Sequence, residues 1–120
     1  MIIKIPFKTP SINHLYGHTK FGSFYLKPEA KKLREKIREV VYKKKWILPI
    51  DTKLSIGVEI HENWLTKKGE VKIKDIANRE KFLIDSIFEA LGIDDKFIFE
   101  QKMLKVQDEK EFALIRIEKK

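Results

Sequence analysis

The chain contains no cysteine, which excludes disulfides and thiolate metal sites. Its 5 glycines and 4 prolines are too few for a low-complexity or fibrous chain, and no repeat or linker interrupts it. No apolar run approaches the roughly 20 residues that a membrane span requires. The opening MIIKIPF is too short and too soon interrupted to serve as a signal peptide, so the expected location is intracellular, in the cytoplasm, with no membrane partner. Acidic charge is the remaining deficit: 18 Asp and Glu stand against 26 Lys and Arg, a net charge of +8. That imbalance points to a polyanionic partner, nucleic acid before an anionic membrane. A membrane-surface protein would want a basic amphipathic helix with large aromatics on its apolar face, and the first predicted helix carries aliphatics there instead.

What is present suits one soluble domain. The 120 residues are 42% hydrophobic and 37% charged, enough for a single core beneath a highly charged surface. Ile2 to Phe7 reads as a strand limited by Pro6. The turn-rich TPSINHLYGHTKFGS leads into a short strand at Phe24, Tyr25 and Leu26. Pro28 and Glu29 suit the start of a helix running to Lys44, with Leu33, Ile37, Val40 and Val41 at helical spacing. Leu54, Ile56, Val58 and Ile60 alternate strictly, as in a half-buried strand. HENWLTKKGEVKIK reads as a basic loop or hairpin reaching away from the core. A second helix is predicted from Asn78 to Leu91, stopped by Gly92. Two strands, through Phe97, Phe99 and Met103 and through Phe112 to Ile117, are expected to close the chain as a hairpin turning near Asp108 to Lys110. The predicted order is β-α-β-α-β-β: an α/β (mixed α+β) domain spanning 1–120, with a mixed sheet and two helices.

At about 100° per residue, Asn78, Lys81 and Asp85 share one stripe of the second helix, opposite Leu83, Ile87 and Leu91. Asp75 lies just before that helix, and Asp94 and Asp95 just after it. An ordinary account makes Asp75 a helix cap and Asp94–Asp95 a turn. The surroundings favour more, because Asp75 sits among Lys67, Lys68, Lys72, Lys74, Arg79 and Lys81. Carboxylates inside a positive surface are what a Mg²⁺-dependent nuclease needs: cations for the phosphate backbone, oxygen ligands for the metal. Lys81, beside the metal, would neutralise charge developing in the transition state.

Two stretches extend this pattern. PSINHLY (Pro10 to Tyr16) and KDIANREKFLIDSIFEALGIDD (Lys74 to Asp95) resemble the PS-x-N-x-x-Y opening and the D-L-D-N-x-x-K…D-x-L…DD core of the RusA family of Holliday junction resolvases. The next strand, with Lys102, continues the likeness over nearly the whole chain. The resemblance implies a homodimer that grips four-way DNA junctions and nicks two opposed strands. It makes Asp75 and Asp95 Mg²⁺ ligands, with Asp94 a less certain one, and Lys81 the catalytic lysine. Asn78 would orient a ligand or phosphate, Asp85 matches an acid one helical turn further on whose role the resemblance leaves open, and Asn13 and Lys102 would lie at the DNA. Ala77 is the departure, since the pattern expects aspartate there. A methyl group holds no cation, so Mg²⁺ binding and cleavage should be weakened. The isolated change reads as an introduced aspartate-to-alanine substitution rather than a natural loss. Glu80, on a different helical face from Asn78, is not expected to replace the missing acid. The alternatives are a junction-binding protein without catalysis and a general nucleic-acid module.

Other residues admit two readings. His14 and His18, four apart, suit loop positions near DNA better than a metal site, because Pro10 and Gly17 oppose a helix there. Trp46 and Trp64 could stack on bases or pack in the core. Phe82 lies off the main apolar face and is a candidate wedge or dimer contact.

Overall fold

The strict alternation in Leu54–Glu62 (β4) makes it the middle of the molecule: Leu54, Ile56, Val58 and Ile60 are all buried. The structure, a computed structural model, describes residues 1–11, 15–45 and 52–120. Around β4 lie Ile2–Ile5 (β1), Ile98–Gln107 (β5) and Phe112–Lys119 (β6), in the sheet order β1-β6-β4-β5. β4 runs parallel to β5, with Val58 opposite Met103, and antiparallel to β6, with Val58 opposite Ile115. The sheet is therefore mixed, as expected.

The expected closing hairpin is not formed. β5 and β6 are neighbours in sequence, but β4 lies between them. A strand so regularly apolar on one face needs partners on both sides, whereas β5, with Glu100, Gln101, Lys102 and Lys105, tolerates an edge. The turn from β5 to β6 steps across the end of β4, where Asp108 N donates to Glu62 O. The Asp108 carboxylate accepts from Lys110 N and pairs with His61 Nδ1, and both bonds hold its pKa below the usual carboxylate range.

Parallel pairing of β4 and β5 requires a crossover, which is supplied by the helix Ala77–Leu91 (α2). Gly92 ends α2 in the left-handed region at φ 70°. The first helix, Pro28–Lys43 (α1), packs against α2, with Arg34 Nε donating to Ser86 Oγ and Arg38 pairing with Glu89. Both helices cover one face of the sheet, where Ile3, Ile5, Ala113, Ile115 and Ile117 join the β4 residues in the core. Covered by the sheet on one side and by α1 on another, α2 buries a broad arc that includes Phe82, Leu83, Ile87 and Phe88. Phe82 is fully buried and available neither to a junction nor to a dimer partner, a correction to the expectation from its helical position.

Two further corrections concern the loops. Tyr16–His18 (β2) and Phe24–Leu26 (β3) form a small antiparallel ribbon, where only the second strand was expected. The segment after β4 does not simply leave the core: Trp64 is buried, and its indole Nε1 donates to Ile60 O at 3.0 Å. Beyond that anchor the chain does protrude as a hairpin, bridged at Leu65 and Val71 and turned through Gly69 at φ 80°. Trp46 lies outside the described residues.

Candidate active site

The approach to α2 is held by a buried carboxylate. Glu62, at the end of β4, accepts from Arg79 Nη1 at 2.8 Å and from Lys74 Nζ at 3.0 Å. Arg79 Nη1 also donates to Thr9 O, tying the N-terminal segment to α2. Lys74, Arg79 and Lys105 stand 5.9, 5.7 and 4.9 Å from the Trp64 ring, within reach of cation–π attraction. Lys105 Nζ donates to Lys74 O. Arg79 was expected at the DNA surface, but it is buried and committed to this cluster. Its role is to hold the site's frame, and Lys74 shares it.

On that frame the chain enters α2. Asp75 is exposed, and its Oδ1 accepts from Ala77 N at 3.0 Å. The helix has no side-chain cap at Ile76, so Asp75 does the work of a cap from one residue further out. Asp94 plays the same part for the single 3₁₀ turn Asp95–Phe97, accepting from Lys96 N at 2.9 Å. The ordinary account of these two acids is thus realised for one oxygen of each.

Between the helix start and the 3₁₀ turn opens a pocket of about 440 Å³, lined by Ala77, Glu80, Lys81, Ile84, Asp85, Asp95, Ile98 and Gln101. It gathers the anticipated Ala77, Lys81, Asp85 and Asp95. Lys81 Nζ donates to Asp85 Oδ2 at 3.1 Å. That hydrogen bond, and the charge of Asp85, raise the Lys81 pKa above the ordinary lysine value, with smaller contributions from Tyr16 and Asp95. The ammonium lines the pocket and keeps its charge to higher pH than a free lysine would. Because the folded pKa is the higher one, the pair's contribution is complete at neutral pH. It is lost only as pH rises through the folded value, above about 10.4. Asp85→Asn is expected to return Lys81 toward the ordinary range, read by NMR titration of the lysine side chain; an unmoved titration would show that Asp85 does not set its charge.

Glu80 was not anticipated here. Its face differs from that of Asn78, but Ala77 and Glu80 are three apart and adjacent on the helix surface, so both reach the pocket. Glu80 Oε1 accepts from Gln101 Nε2 at 2.6 Å. The useful signal was the spacing from Ala77, not from Asn78.

Other expected residues fall elsewhere. Lys102 does not join the pocket: strand alternation turns Gln101 toward α2 and Lys102 to the opposite face of the sheet. There it lies with Ser55, Gly57, Glu100, Arg116 and Glu118. Lys67 and Lys68 are exposed on the hairpin, and Lys72 is partly so. Asn78 stands in the first turn of α2. Asn13 and His14 lie outside the described residues.

The acids present do not make a complete cation site. Among the described residues, no three histidine or acidic side chains are gathered closely enough to hold a metal ion. Ala77 contributes only a methyl group to the pocket wall, and neither Asp75 nor Asp94 lines it, so the donor set does not fit Mg²⁺ as it stands. No helix among the described residues is long and apolar enough to cross a membrane.

No curated protein matches the chain. The model of one protein family, endodeoxyribonuclease RusA, matches residues 6–118. That span takes in β4, β5, all but the last residue of β6, both helices and the pocket, and leaves out only β1 of the main sheet. The chain belongs to the RusA endodeoxyribonuclease family, whose activity is the nucleolytic resolution of Holliday junctions.

Proposed function

We propose that the chain is a homodimeric, Mg²⁺-dependent junction resolvase in design, which alanine at position 77 leaves able to hold four-way DNA junctions while cutting them poorly or not at all. The observation that carries the reading is the pocket that brings Lys81, Asp85 and Asp95 around Ala77, in a chain of this family. Asp75 and Asp95, with Asp94 beside them, are the acids assigned to the cation. Ala77 marks the missing one. Lys81, kept charged by Asp85, is placed to stabilise negative charge on a phosphate. Asn78 is assigned to orienting a ligand or phosphate. A dimer would repeat this site about a twofold axis, as the paired cuts on a symmetric junction require.

The hairpin lysines Lys67, Lys68 and Lys72 supply the sequence-independent grip on the backbone. Arg79 and Lys102 take no part in it, the first buried and the second on the far face of the sheet. Changing Lys67, Lys68 and Lys72 together to glutamine is expected to flatten the dependence of log affinity on log salt by about 2.7. An unchanged slope would remove the hairpin from the DNA interface. A second reading, junction binding with no catalytic capacity even in principle, is favoured by the capping bonds that already engage Asp75 and Asp94. The two readings part on whether an aspartate at position 77 brings cleavage.

A further inference from the structure

The chain up to Pro28 holds Lys4, Lys8, Lys20 and Lys27 but no aspartate or glutamate; Glu29 is its first acid. The ribbon of β2 and β3 lies within this acid-free part. Its root is fixed. Leu15 is buried, Tyr16 and Leu26 pair and pack against the core, and Lys27 N donates to Leu15 O. Tyr16 acts on the charge of Lys81, so the ribbon rises beside the pocket. On its other face Gly17 pairs with Tyr25, and a Cβ on Gly17 would come within 2.3 Å of Tyr25 Cζ. The phenol ring thus rests on bare backbone, a packing that stiffens a short strand pair. The tip is closed as well: Thr19 N donates to Ser23 O at 2.8 Å, Gly22 N to Thr19 O and Ser23 N to Thr19 Oγ1. On that turn Phe21 stands 93% exposed. Lone exposed hydrophobic residues are common. This one differs because a tethered, lysine-bearing ribbon presents it.

Resting on the nucleic-acid reading above, we propose that the β2–β3 ribbon enters the major groove of a DNA duplex arm, with Phe21 against the base edges and Lys20 and Lys27 toward the flanking phosphates. Paired strands lie about 4.8 Å apart, so with side chains the ribbon is about 10 Å across. That width suits the major groove of B-form DNA, about 12 Å wide, and not the minor groove, about 6 Å wide. Phosphates line both edges of the groove, and a ribbon without acids meets no repulsion from either. Phenylalanine offers no hydrogen-bonding group, so its contact is apolar and falls best on a thymine methyl. The deep, narrow major groove of duplex RNA would not admit the ribbon. Because the tip is ordered before DNA arrives, little ordering is spent on binding. The ribbon grips an arm, not the branch, and so strengthens linear and branched DNA alike.

The test uses the full chain without divalent metal, bound to a four-way DNA junction, a linear DNA duplex and an RNA duplex of the same sequence. Dimethyl sulfate reports the major groove, because it methylates guanine N7 there. The bound chain is expected to shield N7 over a short stretch of duplex DNA. Phe21→Ser should lift the shielding and weaken binding to both DNAs about tenfold. It should leave Tm unchanged and RNA affinity within about twofold. Phe21→Tyr should retain the shielding. Lys20→Gln with Lys27→Gln should flatten the dependence of log affinity on log salt by about 1.8. DNA binding without N7 shielding, shielding that survives Phe21→Ser, or an equal loss on RNA overturns the ribbon's role while the nucleic-acid reading stands. Loss of a dimer by Phe21→Ser at unchanged DNA affinity also overturns it, giving the tip to a second copy. A parent chain that binds no DNA overturns both.

Discussion

Replacing Ala77 with aspartate is expected to bring Mg²⁺-dependent cutting of four-way DNA junctions, at least about 100-fold above the parent chain. Loss of groups that merely orient metal ligands already costs 10- to 100-fold, and a ligand itself should cost no less. The fold is ready for the change. Ala77 is exposed, opens α2 and lines the pocket with Lys81 and Asp95. A carboxylate in a first helical turn meets the positive end of the helix dipole, so the substitution should leave stability unchanged or slightly raised. It would add a third acid to a place where Asp75 already bonds the backbone of residue 77. Glu80 does not relieve the deficit in the structure described, because its carboxylate is bonded to Gln101. Calorimetric titration with Mg²⁺ should show tighter binding by Ala77→Asp than by the parent, independently of any cutting. Lys81→Met in the Ala77→Asp background should then remove cleavage without removing metal binding. If Ala77→Asp binds junctions and metal yet cuts nothing, the catalytic reading falls and the non-catalytic one replaces it.

The second large effect concerns stability. Glu62→Gln is expected to lower unfolding free energy by about 3–5 kcal/mol, the range for breaking a buried charge cluster from one side. For a chain of this length that corresponds to a fall in Tm on the order of 10 °C. Glu62 is 1% exposed and meets two cations, Arg79 and Lys74. Glutamine keeps the shape but leaves Arg79 buried with no opposite charge. Arg79 would keep its bond to Thr9 O and meet at best a neutral amide oxygen where the carboxylate stood. Replacing Glu62 and Arg79 together with leucine and methionine should cost much less than the sum of the single changes, because neither partner is then stranded. Denaturant unfolding of Glu62→Gln, of the two single apolar variants and of the double variant measures this. A loss below about 1 kcal/mol for Glu62→Gln would mean that the cluster is screened like a surface pair. The same cluster fixes the segment leading to Asp75, so DNA cleavage in the Ala77→Asp background should also suffer from its loss.

How far the sequence reached can be judged from single residues. The β4 period and the common face of Lys81 and Asp85 were legible, because helical and strand periodicity fix which side chains share a face. Asp95, beyond the helix, entered the site only through the family likeness. Strand pairing was not. Nearness along the chain favoured a β5–β6 hairpin, and only the need of β4 for two neighbours separates them. Phe82 was misplaced because a single apolar stripe was assumed where α2 is covered from two directions. Arg79 was misread because net charge does not reveal that a buried Glu62 lies across from it. Lys102 lies one residue of strand phase from Gln101, which puts its side chain on the other face of the sheet.

Recognition of branched DNA by this chain is tested most directly by one competition measurement. The chain is titrated at matched salt with a four-way junction and with a linear duplex of the same arms, in the absence of divalent metal. Clear preference for the junction is expected, persisting as salt is raised, since recognition of shape does not depend on phosphate charge alone. Equal affinity for the two, falling together with salt, would contradict it and leave only a basic surface.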